Sequence, residues 1–335
     1  MRPNGRLGAR LRFATSLLLI GGKPVRLMLD SQDDVGDPKG ATTAGQKRVD
    51  DNVAGVIGHV NSGATLPASK ICSDAGVPEI SPASTNSAYT RQGFKTAFRV
   101  IGDDHDVATV LTQYILERYK GKRIAVMDDR RAYGRSFSDD VIRLLKRQGV
   151  DAVGREYDTI QTIDFRDALT SLKSTRPGVI VYARVEAQAG PIRKQTTALG
   201  MGDVVLAGWA IETQQFITLA GRPATAEGTL SSESGYALAD MPKGKDFGNR
   251  FAKYGPPVLF SPGAYDATWA LIKAMQIAGS TNHDDVVKAL HSVKFDGVTG
   301  EISFDATGNL RSARVTIFQV PEVSGRASVH QQSSE

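Results

Sequence analysis

Two short clusters of small and hydroxyl-bearing residues carry most of the chemical information in this 335-residue chain. The first, Gly58-His59-Val60-Asn61-Ser62-Gly63-Ala64-Thr65-Leu66-Pro67-Ala68-Ser69, follows the apolar run Val53-Ala54-Gly55-Val56-Ile57. Small hydroxyl residues followed by proline early in a helix mark an N-terminus whose free amides point back into the loop. Such an end holds an anion, typically a carboxylate or a phosphate. The second cluster, Ile80-Ser81-Pro82-Ala83-Ser84-Thr85-Asn86, repeats the device at the end of the next strand. Either one alone is an ordinary helix cap. Together they lie at the carboxyl ends of neighbouring strands, where open α/β sheets bind ligands.

The commonest enzyme signatures are missing. The Gly-Lys pairs continue with Pro24, Arg123 and Asp246 rather than Ser or Thr, so there is no Walker loop, and no Gly-x-Gly-x-x-Gly spacing occurs. Among the five histidines, His59, His105, His283, His291 and His330, none sits at the i, i+4 spacing that sets two imidazoles on one helix face. No metal and no cofactor are therefore expected. His59 and Ser62 could be drawn as base and nucleophile, but the Gly-x-Ser-x-Gly elbow is absent and no carboxylate is placed by sequence to orient the imidazole. A structural or ligand-contacting role is favoured over hydrolysis, and the chain is read as a non-enzyme.

The net charge of +5 and pI of about 9.2 invite a nucleic-acid partner. Six of the 41 basic residues, Arg2, Arg6, Arg10, Arg12, Lys23 and Arg26, and none of the 36 acidic ones lie in residues 1–26. The rest of the chain is near neutral, so no basic face for phosphates is expected. The longest uncharged apolar stretch, residues 13–22, is about half of the ~20 residues that a membrane span needs. Behind four arginines it resembles the start of a secretory signal, although no small-x-small cleavage site follows. The single cysteine, Cys72, cannot form an internal disulfide.

Strand and helix patterns alternate from residue 25 to about 210, as in parallel sheets covered by helices. Strands are predicted at residues 25–29, 53–57, 79–81, 123–127, 150–156, 179–182 and 204–206. Helical stripes are predicted around residues 107–119, 141–149, 165–172 and 187–199, and again at 216–220, 245–253 and 264–277. Two series meet near Gly121, which predicts two doubly wound, Rossmann-like α/β lobes. Two further strands are expected at 301–304 and 314–320.

Gly58-His59, Ser62, Thr65, Pro67-Ala68-Ser69, Ile80-Ser81-Pro82 with Thr85-Asn86, Phe98-Arg99, Arg123-Ile124-Ala125 and Tyr133-Gly134 together resemble the periplasmic substrate-binding proteins of branched-chain amino-acid ABC transporters. The resemblance runs from about residue 22 to residue 320. It implies a type I periplasmic binding fold, two lobes joined by a multi-strand hinge that close on a ligand. The boundaries it implies are residues 1–24 as an anomalous segment, 25–120 with 256–305 as lobe one, 121–255 with 306–322 as lobe two, and 323–335 as a disordered tail. It further implies a periplasmic monomer that captures a branched-chain amino acid or related small carboxylate and hands it to a membrane permease. The alternative is a ligand-sensing receptor or regulator domain of the same fold, binding an amide or aromatic acid.

Carried over by position, Ser62 and Thr85 are the carboxylate's partners, Ala83 and Thr85 those of the ammonium, Ser84 lies between them, and Tyr133 covers the ligand. Three positions depart from the family. Ala183-Arg184-Val185 stands where a second aromatic is common, and Trp209-Ala210-Ile211 stands where leucine-type binders carry a glutamate, with Glu212 just beyond. Arg184 is accordingly expected to face a second acidic group or to be a surface arginine, and Trp209 to face an aromatic ring or to pack in the core. The paired cysteines of some members are replaced by Gly36 and Asn61. The amino end departs most, because the family's first strand, ligand loop and helix have no counterpart before Gly21-Gly22-Lys23-Pro24-Val25. Either residues 12–20 fill that strand's place or the amino end is truncated or altered.

Overall fold

The computed structural model describes residues 18–159, 161–184, 186–209, 211, 214–221, 223–235, 237–320 and 328–333. The chain forms two compact units, residues 1–103 with 235–313 and residues 104–234 with 314–335, and it passes from one to the other three times. Among the described residues no helix is long and apolar enough to cross a membrane.

In unit 1, strands are numbered along the chain. β1 (Leu18–Ile20) and β2 (Lys23–Val25) pair antiparallel across the Gly21-Gly22 turn. β3 (Val56–Ile57), β4 (Glu79–Ser81) and β5 (Ala97–Arg99) form a parallel sheet in that order. The predicted strand at 25–29 thus ends at Val25, and Met28 is 87% exposed. A strand persists only where its amides find a ladder partner, and residues 26–29 pair with no strand among the described residues. The described part of the segment expected to replace the first strand, Leu18–Ile20, joins the hairpin rather than the sheet.

Ile80 and Phe98 of that sheet pack with Ala267, Leu271 and Met275 of the long helix Ser261–Ala278, whose end is turned by Gly279 at φ 61. The helices Pro38–Asp50 and Ser62–Asp74 pack through small residues, with Ala41, Ala64 and Ala68 in one cluster. Gly45 faces Ala68 across this contact, where a Cβ would make an ordinary contact at 3.7 Å. β11 (Lys294–Asp296) and β12 (Glu301–Ser303) form a second hairpin, whose turn is held by buried Asp266 accepting from the amides of Val298 and Thr299.

In unit 2, β6 (Ile124–Asp128), β7 (Arg155–Tyr157), β8 (Val179–Ala183), β9 (Val205–Trp209) and β10 (Leu230–Ser234) are mutually parallel. β13 (Arg314–Gln319) and β14 (Ser328–Ser333) add antiparallel strands, giving the order β14-β13-β10-β9-β8-β6-β7. Successive residues of a strand face opposite sides, and the core obeys this. Ile124, Val126, Val179 and Val181 meet Leu111, Phe137 and Val141 on one face. Ala125, Met127, Ile180 and Tyr182 meet Leu169, Ile192 and Phe216 on the other. Both faces are apolar, which is why β6 and β8 read as continuous hydrophobic runs.

The unit boundaries differ from the predicted ones. The helix Asp104–Arg118 belongs to unit 2, because Val107, Leu111 and Tyr114 pack against its sheet. Residues 235–255 belong to unit 1, where Phe247 and Phe251 pack with Tyr265 and Val298. Residues 306–313 also belong there, since the Arg99 amide donates to the Gly308 carbonyl. The tail expected to be disordered contributes β14, paired residue for residue with β13 from Arg314↔Ser333 to Gln319↔Ser328. Residues 321–327, 334 and 335 lie outside the described residues.

Candidate functional site

Unit 1 gathers four of the expected ligand residues at the carboxyl ends of β3 and β4. The chain leaves β3 at Ile57, passes His59, and enters the helix Ser62–Asp74 with Asn61 as N-cap. Ser62 is therefore the first helical residue, at the positive end of the helix dipole. Its hydroxyl accepts from the Asn86 amide at 3.2 Å and from the Ser84 hydroxyl at 3.4 Å, which draws the two clusters together.

A layer beneath sets the loop's shape. The Ser81 hydroxyl donates to the His59 carbonyl at 2.8 Å and accepts from the amides of Ala83 and Ser84. Arg99, fully buried, donates through Nη1 to the carbonyls of Ser84 and Asn86, both at 3.0 Å. Its other nitrogens reach Asn309 Oδ1 at 2.7 Å and Thr90 Oγ1 at 3.0 Å. The amides of Ala83, Ser84 and Asn86 are thus used within the loop. The bracing roles of Arg99 and Asn309 escape sequence reasoning. The available signal is a cation closing the apolar strand β5, which in a buried sheet must find acceptors.

His59 corrects one expectation. A carboxylate does orient its imidazole, since Nδ1 lies 2.7 Å from Asp34 Oδ2, 25 residues away in sequence. Burial acts to lower the His59 pKa, but the Asp34 bond and the nearby Glu79 and Asp34 charges outweigh it and the pKa is raised. The bond to His59 holds Asp34 below the usual carboxylate range. Burial pushes Glu79 up to about 7, with the His59 charge opposing. Neither Glu79 oxygen has a well-aligned partner among the described residues. A triad still does not result. The Ser62 hydroxyl is engaged by Ser84 and Asn86, and His59 Nε2 is buried without a hydrogen-bond partner among the described residues.

Unit 2 holds the remaining candidates. Tyr133 lies in the first turn of the helix Ala132–Arg147, with its ring 5.7 Å from that of Trp209 at the end of β9 and 5.9 Å from that of Phe137. Trp209 packs with the protein's own Tyr133 against the apolar core of unit 2. Gly134 is required here, because a Cβ would come within 2.6 Å of Asp129 Oδ1 and 2.7 Å of the Ala183 carbonyl.

Arg184 is neither on the surface nor free to meet a second acid. Its side chain is 1% exposed, with Nη1 2.8 Å from Asp158 Oδ2 and Nε 3.5 Å from Asp129 Oδ2. Two carboxylates facing one guanidinium leave no surplus positive charge. Burial pushes Asp158 up to about 6 against the pull of Arg184. Glu212 lies outside the described residues.

The model of the family described as "Periplasmic binding protein" matches residues 2–326. The chain belongs to the periplasmic binding protein family. A "Leu/Ile/Val-binding protein homolog 1" of Brucella suis is 31% identical over 317 residues, covering 92% of this chain and 84% of that protein. A "Leucine-, isoleucine-, valine-, threonine-, and alanine-binding protein" of Pseudomonas aeruginosa is 29% identical over 299 residues, covering 89% and 79%. A solved branched-chain amino acid transporter substrate-binding protein from Streptococcus pneumoniae, in complex with isoleucine, matches with a TM-score of 0.81 at 24% identity over 98% of this chain and 94% of that one. At that identity the structural likeness establishes the type I periplasmic binding fold. Membership places the chain among periplasmic substrate-binding proteins.

Proposed function

We infer that this chain is the extracytoplasmic solute-binding component of an ABC transporter, which captures a branched-chain amino acid or related small carboxylate and delivers it unchanged to a permease. The observation that carries this reading is the braced loop at Ser62 and residues 83–86. Its own hydroxyls occupy three of its amides and Arg99 occupies two of its carbonyls, so its shape is set before any ligand arrives.

In this reading the Ser62 hydroxyl and amide and the Thr85 amide and hydroxyl bind the ligand carboxylate, and the helix N-terminus supports its charge. The Ala83 carbonyl and Thr85 hydroxyl take the ammonium, with Ser84 fixing the loop. Tyr133 and Trp209 supply aromatic surface to the ligand. The names of the relatives from Brucella suis and Pseudomonas aeruginosa support the ligand class. A monomer working in the periplasm without catalysis completes the proposal.

The test is titration calorimetry of the purified protein against leucine, isoleucine, valine, the other amino acids and short carboxylates. Saturable one-to-one binding of an amino acid is expected. Failure to bind any amino acid or carboxylate overturns the reading, as does ester or amide turnover that Ser62→Ala abolishes.

A further inference from the structure

A second polar cluster lies entirely in unit 2, at the carboxyl ends of the parallel strands β6, β7 and β8. Asp129 follows β6, Asp158 follows β7 and Arg184 follows β8. The cluster is tied to the sheet by the Asp158 amide, which donates to the Asp128 carbonyl at 3.0 Å. Tyr133 is joined to it through Gly134, whose backbone packs against Asp129 Oδ1, and burial, with the charges of Asp104 and Asp129, raises the pKa of its hydroxyl.

The cluster is not saturated. Asp158 Oδ1, the Tyr133 hydroxyl and all three Arg184 nitrogens are buried without a well-aligned hydrogen bond among the described residues. Arg184 is ion-paired with its two carboxylates, Nη1 lying 2.8 Å from Asp158 Oδ2 and Nε 3.5 Å from Asp129 Oδ2, and its remaining donor capacity is open. Buried polar atoms left in this way are costly, so several kept together call for a partner, a ligand group or a water. The unmet atoms are donors on the guanidinium, an acceptor on Asp158, and both functions on the phenol.

Their chemistry selects the partner. An additional anion would join two carboxylates that already face a single guanidinium. An additional cation would leave the guanidinium donors unmet. A hydrocarbon would leave every one of these atoms unmet. A primary carboxamide meets them in one step, its oxygen accepting from Arg184 and its NH2 donating to Asp158 Oδ1.

We propose that Asp158, Arg184 and Tyr133 form a subsite that selects ligands bearing a neutral donor-and-acceptor group, a primary carboxamide foremost, over aliphatic ones. This rests on the solute-binding reading above and narrows its ligand class to a polar member.

Leucine, asparagine and aspartate have nearly the same size and shape and differ in the group that the subsite would meet. Calorimetry of the full chain at pH 7.5 is expected to show asparagine binding at least about tenfold tighter than leucine, and tighter than aspartate by a similar factor. If the ligand is one methylene longer, glutamine, methionine and glutamate show the same order. In Tyr133→Phe the ratio of asparagine to leucine affinity falls several-fold. In the charge-balanced double variant Arg184→Met with Asp158→Asn it falls to about one or reverses. Leucine or methionine binding as tightly as its amide counterpart overturns the proposal and assigns the cluster to internal water. Aspartate or glutamate binding tightest overturns it as well. If the double variant does not fold, Tyr133→Phe decides alone, and an unchanged ratio counts against the subsite. Absence of binding by every amino acid removes the solute-binding reading and this subsite with it.

Discussion

The polar loop of unit 1 and the polar cluster of unit 2 sit at equivalent ends of their sheets but are built in opposite ways. In unit 1 the loop is braced, with Ser81, Ser62 and Arg99 meeting one another's carbonyls and amides. In unit 2 Arg184 and Asp158 are equally buried, yet their hydrogen-bonding capacity is largely unused. A braced loop suits a ligand part that never varies, because nothing has to reorganise to bind it. An unsatisfied cluster suits discrimination, because the wrong group leaves its desolvation uncompensated.

The largest effect is expected from removing the brace. Arg99→Ala strips four hydrogen bonds from Ser84, Asn86, Asn309 and Thr90 and leaves buried acceptors unmet. A loss of roughly 3 to 5 kcal/mol in urea unfolding is expected. A loss below about 1 kcal/mol would show that the loop does not depend on this support.

Glu79, behind the same loop, comes next. Its folded pKa of about 7 lies above the ordinary 4.5, so the native state holds more protons than the unfolded chain between those values. Stability from this group therefore rises as pH falls from about 7 toward 4.5. His59, also raised, acts in the same direction, its contribution being lost as pH rises through its folded pKa. Glu79→Gln is expected to raise the stability at pH 8 by on the order of 2 kcal/mol, seen as a higher Tm, and to flatten the gain seen on going to pH 5. An unaltered pH profile would mean that Glu79 is ionised without penalty.

Ser62→Ala and Thr85→Ala are each expected to weaken ligand binding by roughly 1 to 3 kcal/mol. Calorimetry showing unchanged affinity removes either residue from the head-group site. A change of similar size is Gly134→Ala in unit 2. Its Cβ would press on Asp129 Oδ1 and the Ala183 carbonyl, shifting the helix that carries Tyr133. A destabilisation of about 1 to 3 kcal/mol is expected. Should ligand affinity fall without loss of stability, the contact positions the ligand rather than supporting the fold.

Much of the fold was legible in the residues. β4 coincides with its predicted span, β8 extends one residue beyond its own and β6 is shifted by one residue, because strands buried on both faces must be apolar throughout. Gly149 and Gly200, both at φ 73, follow the ends of their helices as expected. β10 was invisible, because Leu230-Ser231-Ser232-Glu233-Ser234 carries one aliphatic residue. Its serines are buried through hydrogen bonds, Ser231 accepting from the Ile211 amide and Ser232 donating to the Gly208 carbonyl. β5 was missed for a related reason, since it ends in a buried arginine rather than an apolar residue.

By itself the sequence determined the fold class, the family and the Ser62 to Asn86 loop, because these rest on periodicity, helix-start chemistry and motifs a few residues long. Only the tertiary structure decided that Asp34 orients His59, that Arg99 and Asn309 brace the loop, and that Arg184 is matched by Asp129 and Asp158. Those pairings span up to 210 residues of sequence. A charged residue's partner is set by burial and by the need to satisfy every donor and acceptor, and that requirement acts only once the strands have brought their ends together.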